Sequence, residues 1–448
     1  MISNSLIEPL LQALRQRGSM ATSGQLQQAL GTSQPTLSRA LAPLLASGQV
    51  IKVGAARSQR YLLPRAVPGV GSSVPVSCID EAGQPAPFAR LHALAGGAFW
   101  LDGVVDEAGA AGQRHDGLPW FLDDMVPQGF MGLTFAQSHP ELRLAADPAQ
   151  WSCDDRLRAL TLFGDDLPGN LIVGEAAFAR FHSLAERMPR AASAADYPRL
   201  AEAAMQGSFP GSSVGGEQPK FCAVTAGRPV LVKFSPAGDA LAHQRVRDLL
   251  VCEHLALQTL AAAGVPAATT QLAFAEGRVY LESERFDRTA GSLHRAGAPG
   301  RIGMVSLLAY DAQYVGQMDN WAATAERMQA RGLLAPVDAR RLCLLEAYGL
   351  LIANTDRHYG NISLLRRPTG WALSPTYDML PMLYAPVAGE LVERDFAASN
   401  LQPTTATLPV WSAALALAQA FWRSAAADSR ISAGFRAICA KNLNHLAG

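Results

Sequence analysis

Asn354-Thr355-Asp356-Arg357-His358-Tyr359-Gly360-Asn361 is the stretch on which the reading of this 448-residue chain turns, followed after an apolar interval by Tyr377-Asp378. A carboxylate, four intervening residues and a carboxamide is the spacing of a loop that serves phosphoryl transfer. There the Asp, here Asp356, acts as base toward the acceptor hydroxyl, and the Asn, here Asn361, holds Mg²⁺. A second Asp, Asp378, stands where a metal-chelating carboxylate belongs. Three oxygen ligands from two adjoining segments suit a hard cation that keeps waters and phosphates in its other positions. The Asp and Asn pair alone reads better as a helix cap and a turn residue. The flanks favour chemistry: Leu350-Leu351-Ile352-Ala353 leads in and Ile362-Ser363-Leu364-Leu365 leads out. Trp371-Ala372-Leu373 returns toward Asp378 past a turn at Pro368 and Gly370.

Upstream lie the other parts such a site needs. Ser212-Ser213-Val214-Gly215-Gly216-Glu217-Gln218-Pro219-Lys220 carries two glycines whose backbone can close on phosphates, although it matches neither common nucleotide-loop pattern. Phe221–Val224 and Pro229–Phe234 read as a hairpin, with Lys233 a lone cation in an apolar strand. A charge there needs a partner. The candidate is Glu253 on the apolar helix predicted over Leu241–Ala263, which Gly264 and Pro266 stop. A strand then runs from Gly277 into Glu284-Arg285-Phe286-Asp287-Arg288, and Glu284 to Phe286 is placed as a hinge offering backbone groups to adenine. From about Met304 the pattern is helical.

Taken together these segments resemble the HipA family of bacterial serine/threonine kinases, which act as toxins of toxin–antitoxin systems. The resemblance rests on Ser213–Lys220, Val232-Lys233, Glu284–Arg288, Asn354–Asn361 and Tyr377-Asp378, and covers roughly residues 75 to 440. It implies ATP and Mg²⁺ as cofactors and a cellular protein as substrate. It makes Asp356 the catalytic base and gives the metal to Asn361 and Asp378. The nucleotide falls to Gly215, Gly216, Glu217, Gln218, Pro219, Lys220, Lys233 and Glu253, to Glu284 and Phe286 at the hinge, and to His358. It also makes Ser213 the autophosphorylated residue. Pro219 replaces an acidic residue of the family's best-known pattern.

The first 65 residues differ in texture. Arg15, Arg17, Arg39, Lys52, Arg57, Arg60 and Arg65 face only Glu8, a net charge of +6, so the remainder of this neutral chain carries −6. A basic end on an acidic body points to a polyanionic partner. Leu6, Leu10, Leu11 and Leu14 predict one helix ended by Gly18. Thr22 or Ser23 caps a second, and Ser33 a third, with Pro35 in its first turn and Pro43 able to bend or shorten it. Two short strands flank Arg57. The pattern resembles a winged helix-turn-helix, a module that typical HipA proteins borrow from a separate antitoxin. Gln34, Thr36, Ser38 and Arg39 are then the base-reading candidates, and Lys52, Arg57 and Arg60 the backbone contacts.

The expected fold class is α+β: a bilobal protein-kinase-like fold with a mixed N-lobe and an all-helical C-lobe, plus the winged module. Boundaries are expected at 1–65, 66–205, 206–285 and 286–448, with Ala66–Pro75 a linker. A hydrophobic fraction of 49% excludes global disorder. Six scattered cysteines without a Cys-x-x-Cys read as buried thiols of a cytoplasmic protein. No membrane partner is expected; a separate antitoxin and a homodimer on a symmetric operator are compatible. Two other readings use the same residues: a small-molecule phosphotransferase, and a DNA-binding regulator whose kinase body senses nucleotide. His115 and His139 read as non-ligands.

Overall fold

Leucines at helical spacing bury one face of helix α1 (Ile7–Gln16), through Leu10 and Leu14. Strand β1 (Met20–Ala21) follows. Helix α2 (Ser23–Leu30) starts with a capping box between Thr22 and Gln25 and stops at left-handed Gly31. Helix α3 (Gln34–Ala46) buries Leu37, Ala40, Leu41 and Leu44, and Pro43 does not end it. Pro43 lies on the solvent face, where the helical hydrogen bond its ring removes is least costly. Strands β2 (Ile51–Val53) and β3 (Arg60–Leu62) complete an antiparallel sheet of order β1-β3-β2. The structure, a computed structural model, describes residues 5–55, 58–105, 111–205, 218–289 and 299–447.

The segment expected as a linker is docked instead. Val67 is buried and accepts the Gly71 N–H, and β4 already starts at Ser73. The N-terminal sheet also shares an apolar cluster with the middle portion of the chain, Val53 and Leu62 packing with Leu94, Ala98 and Trp100. Strands β4 (Ser73–Ile79), β5 (Pro85–Ala93), β6 (Phe99–Val105), β7 (Ala111–His115) and β8 (Leu171–Val173) form a sheet of order β7-β6-β5-β4-β8. Helices α4 (Trp120–Asp123), α5 (Gly129–Ser138) and α6 (Cys153–Phe163) cover its apolar face.

A second sheet has the order β12-β13-β11-β10-β9. It comprises β9 (Arg190–Ala191), β10 (Lys220–Thr225), β11 (Arg228–Phe234), β12 (Thr270–Ala275) and β13 (Arg278–Glu284). Helix α7 (Tyr197–Met205) packs its Tyr197 and Leu200 on this sheet. The sheet therefore recruits chain well before the boundary expected at 205, because a two-residue edge strand carries too little pattern to be seen. Helix α8 (Leu241–Ala262) backs the other face.

The C-terminal part is not all-helical. Helices α9 (Leu307–Tyr314), α10 (Trp321–Ala330), α11 (Pro336–Leu351), α12 (Trp411–Ala427) and α13 (Ala433–Ala447) supply most of its core. A three-stranded sheet of Met304–Ser306, Ser363–Arg367 and Gly370–Leu373 stands at its mouth, beside a short pair Arg288–Thr289 and Gly300–Arg301. The apolar run after Asn361 is too short for a helix and pairs as a hairpin, which carries the chain back to Asp378. Trp422 is fully buried and its Nε1–H donates to the Leu351 carbonyl at 3.0 Å, fixing the end of α11. Among the described residues, no helix is long and apolar enough to cross a membrane.

Candidate active site

Helix α11 ends into Ala353, whose φ of +60° turns the chain sharply. The next loop is tied at several points. Asn354 is fully buried; its Oδ1 accepts the Asp356 N–H at 3.0 Å, and its Nδ2 donates to the Asp378 carbonyl at 3.4 Å. One carboxamide thus couples the two segments that hold the candidate base and the candidate metal ligand. Arg357 donates through Nε to Glu346 at 3.0 Å and through Nη1 to the Asn354 carbonyl. Gly349 makes room for it, since a Cβ there would stand 2.6 Å from Arg357 Cδ. The Tyr359 hydroxyl accepts the Asp319 N–H at 2.7 Å.

Asn361 donates through Nδ2 to the Asp356 carbonyl at 2.9 Å, which points its acceptor Oδ1 elsewhere. The Asp356 carboxylate is half exposed and lies 3.6 Å from His358 Nε2. His358 Nδ1 accepts the Gly360 N–H at 3.0 Å, so in the neutral ring the proton sits on Nε2, facing Asp356. Asp378 is a non-glycine residue at φ +53°, a conformation retained where surrounding structure imposes it.

The opposite wall comes from the second sheet. Lys233 donates to both oxygens of Glu253, at 2.7 and 2.9 Å, and also contacts Asp378 Oδ1. Lys220 lies directly across the ladder from Lys233 and is buried. Burial first, and then the neighbouring Lys233 charge, push its ammonium down to about 7. Gln218 and Pro219 are anchored rather than loose: Gln218 Nε2 donates to the Phe234 carbonyl at 2.8 Å, and the Pro219 carbonyl accepts the Phe234 N–H at 3.0 Å. Ser213, Gly215, Gly216 and Glu217 lie outside the described residues.

Between the walls is an open cleft that brings Lys220, Lys233, Glu253, Tyr377 and Asp378 together with the Glu284–Phe286 segment. The Phe286 and Tyr377 rings sit 5.7 Å apart. The N–H groups of Glu284 and Arg285 are taken by the Thr269 and Pro229 carbonyls, whereas among the described residues that of Phe286 has no backbone partner. Asp356, His358 and Asn361 are not among the residues lining this space, although Gly360 between them is.

Residues 70–182 match the family described as YjjJ-like toxin, middle domain, and residues 212–441 match the HipA-like C-terminal domain. The chain is 35% identical over 424 residues to the toxin YjjJ of Escherichia coli (strain K12), covering 92% of each protein. This chain belongs to the HipA-like toxin family. Among solved structures, it is similar to HipA of Shewanella oneidensis MR-1, determined in a complex with HipB and operator DNA. That likeness has a TM-score of 0.54 at 15% identity, over 83% of this chain and 95% of that one, and establishes a shared fold. The Helicobacter pylori proinflammatory kinase CtkA gives a TM-score of 0.34 at 12% identity, over 51% of this chain and 89% of that one, too low to bear on the fold.

In this HipA-like chain the Glu284–Arg288 segment also does structural work that its sequence did not reveal. Arg285 and Arg288 both bridge Asp166 and Asp287, at 2.6 to 3.1 Å. All four residues are buried or nearly so, and Asp166 comes from the turn after α6. Burial works to raise the Asp166 and Asp287 carboxyls, but the Arg285 and Arg288 guanidiniums beside them prevail and hold both below the usual carboxylate range. Beside them Arg301 is buried, stacks on Phe181 at 5.0 Å and is pushed down to about 9, by burial first and then by Arg288. The missed signal was Asp165-Asp166 preceding Leu167-Pro168, an acidic pair at the edge of an apolar stretch.

The N-terminal candidates divide. Gln34, Ser38, Arg39 and Lys52 are exposed and Thr36 is half-buried. Gln34 also accepts from Gln27 at 2.7 Å, and Arg39 donates to the Pro35 carbonyl at 3.2 Å. Arg60 does not face outward as expected; its guanidinium lies 5.9 Å over the Trp100 ring of the neighbouring sheet, because the two units pack together there. Arg57 lies outside the described residues. His139 is buried with its ring stacked on Phe163, and His115 stands apart from any metal-binding group among the described residues.

Proposed function

We propose that this chain is an ATP- and Mg²⁺-dependent serine/threonine kinase of HipA type, a toxin that phosphorylates a cellular protein and itself. The observation that carries the reading is the convergence of Lys233, Glu253 and Asp378 on one cleft, stapled through Asn354 to the loop of Asp356 and Asn361.

The donor set suits Mg²⁺. Asp378 offers a carboxylate that already attracts a cation, the Lys233 ammonium, and Asn361 keeps a free amide oxygen. Two protein oxygens are enough for an ion that keeps waters and phosphates as its other ligands. When bound, the ion would neutralise charge on the phosphates. Lys233 and Lys220 attract the same phosphates, and Glu253 orients Lys233. The hinge receives adenine between Phe286 and Tyr377, with the Phe286 N–H as donor. Asp356, half exposed, accepts the acceptor hydroxyl's proton, with His358 beside it. Ser213 is the self-modified residue on the segment that includes Gly215, Gly216 and Glu217.

Residues 1–65 act in this reading as a winged helix-turn-helix that binds DNA, with α3 presenting Gln34, Thr36, Ser38 and Arg39 and with Lys52 and Arg57 on phosphates. The later portions, 66–205, 206–285 and 286–448, would be the middle unit, the nucleotide-binding part and the catalytic lobe. The fused module lets the protein meet an operator directly, as a homodimer on a symmetric site, with or without a separate antitoxin. The protein works in the cytoplasm.

Purified full-length chain with labelled ATP and Mg²⁺, followed by phosphosite mapping on itself and on a cell extract, tests this. Phosphate on Ser213 and on an extract protein is expected. Transfer to a small metabolite alone would replace the reading with a small-molecule phosphotransferase, and no transfer at all would leave a nucleotide-sensing regulator.

A further inference from the structure

A two-lobed nucleotide cleft ordinarily has two walls, and this one has three. Asp124, Met125 and Pro168 of the middle unit line it as well. Of these, Asp124 carries chemistry. The carboxylates lining the cleft are Asp124, Glu253, Glu284, Asp287 and Asp378. Glu253 and Asp378 are engaged by Lys233, Asp287 by Arg285 and Arg288, and Glu284 lies 3.8 Å from Arg228. Among the described residues, Asp124 takes part in no ion pair. It is held by neutral donors from a single residue, Ser306, whose N–H reaches Oδ2 at 2.6 Å and whose hydroxyl reaches Oδ1. Ser306 itself caps α9, so the carboxylate is fixed to a rigid element. Each of its oxygens keeps a second acceptor position. A carboxylate in a cleft without a cation calls for further donors.

Resting on the proposed nucleotide site, we infer that Asp124 recognises the ribose hydroxyls of the bound nucleotide. The position follows by elimination along the ligand. Phosphates are repelled by a carboxylate and belong with Lys233 and Lys220. The adenine amino edge is met by backbone at the hinge. What remains between them, and what donates to a carboxylate, is the ribose diol, a pairing that acidic residues make in other nucleotide folds. The middle unit is then part of the nucleotide site rather than a passive neighbour, and the site is complete only with that unit docked.

The test is calorimetric binding of ATP, 2′-deoxy-ATP and 3′-deoxy-ATP to the full chain with Mg²⁺. The wild-type protein is expected to bind ATP about tenfold or more tightly than at least one deoxy analogue, the loss typical when a charged acceptor goes unmet. Asp124→Ala should bring that ratio close to one while leaving affinity for the weaker deoxy analogue in place. Asp124→Asn, which keeps the shape and the Ser306 contacts, should lower it partway and serves if the alanine variant does not fold. Lys233→Met should weaken all three nucleotides alike, marking the cleft itself. Equal binding of the three nucleotides by the wild type, or an unchanged ratio in both Asp124 variants, would overturn the inference and leave the nucleotide site standing. Absence of binding to any of the three would remove the site and the inference together.

Discussion

Two clusters of charge meet at the cleft, built from the same kinds of side chain and arranged in opposite ways. In the hinge cluster, Arg285 and Arg288 each pair with both Asp166 and Asp287, and all four side chains are buried or nearly so. In the cleft cluster, Lys233 bridges Glu253 and Asp378, Asn361 keeps an acceptor, and Asp356 stands half exposed. The difference teaches how to tell structural from chemical charges inside a single set of motifs. A mutually paired network holds two parts of the chain together. An unsaturated one waits for a ligand.

The largest effect expected from that contrast is on chemistry. Asp356→Ala should reduce phosphoryl transfer by about 10²–10⁴-fold, the usual contribution of a general base, with an unchanged melting temperature. Activity near the wild-type level would remove Asp356 from the mechanism. The mirror experiment is Arg288→Met, which leaves Asp166 and Asp287 short of a partner. Breaking a buried pair typically costs about 3–5 kcal/mol, read by denaturant unfolding, and activity should fall only as far as the folded fraction does. A loss of activity with full stability would move the hinge cluster to the chemical side.

A smaller effect follows from Lys220. Its lowered value, about 7, means that above that pH the folded chain has released a proton that the unfolded chain keeps up to the ordinary lysine value. The unfolded state then binds more protons, so this group makes stability rise with pH between about 7 and 10, by at most about 1.4 kcal/mol per pH unit. Lys220→Met should flatten that rise in melting curves taken across the window. The smallest effect is at the distal end. Arg39→Ala should weaken binding of the full chain to its own promoter DNA and reduce the slope of affinity against salt by about one, read by fluorescence anisotropy. An unchanged slope would take α3 off the DNA.

Much of the site was legible because its residues break local rules. Lys233 in an apolar strand and Asp356 before Asn361 are poor choices for packing, so their types and order pointed to chemistry, and Glu253 followed as the partner a buried lysine needs. The cap at Thr22 or Ser23, the cap at Ser33 and the leucine spacing likewise placed the first three helices. What escaped depends on long-range contact. Asp124 reaches Ser306 across 182 positions, and Arg285 reaches Asp166 across 119, separations that no local pattern encodes. Asn354 was visible as part of a motif, but its role as a staple needs the position of Asp378. The sheet at the mouth of the C-terminal part was missed as a sheet because its third strand, Met304–Ser306, is only three residues long. Arg60 looked like a DNA contact until the Trp100 face beside it was in view.

In the proposed kinase, Asp378 and Asn361 share a cation with phosphates held by Lys233. Calorimetric titration of ATP into the wild-type chain and into Asp378→Asn, each with and without Mg²⁺, tests it most directly. The predicted result is tight binding by the wild type that depends on Mg²⁺, and weak binding by the variant that does not. Equal affinities with and without Mg²⁺ in the wild type, or a variant that keeps the full metal dependence, would contradict it.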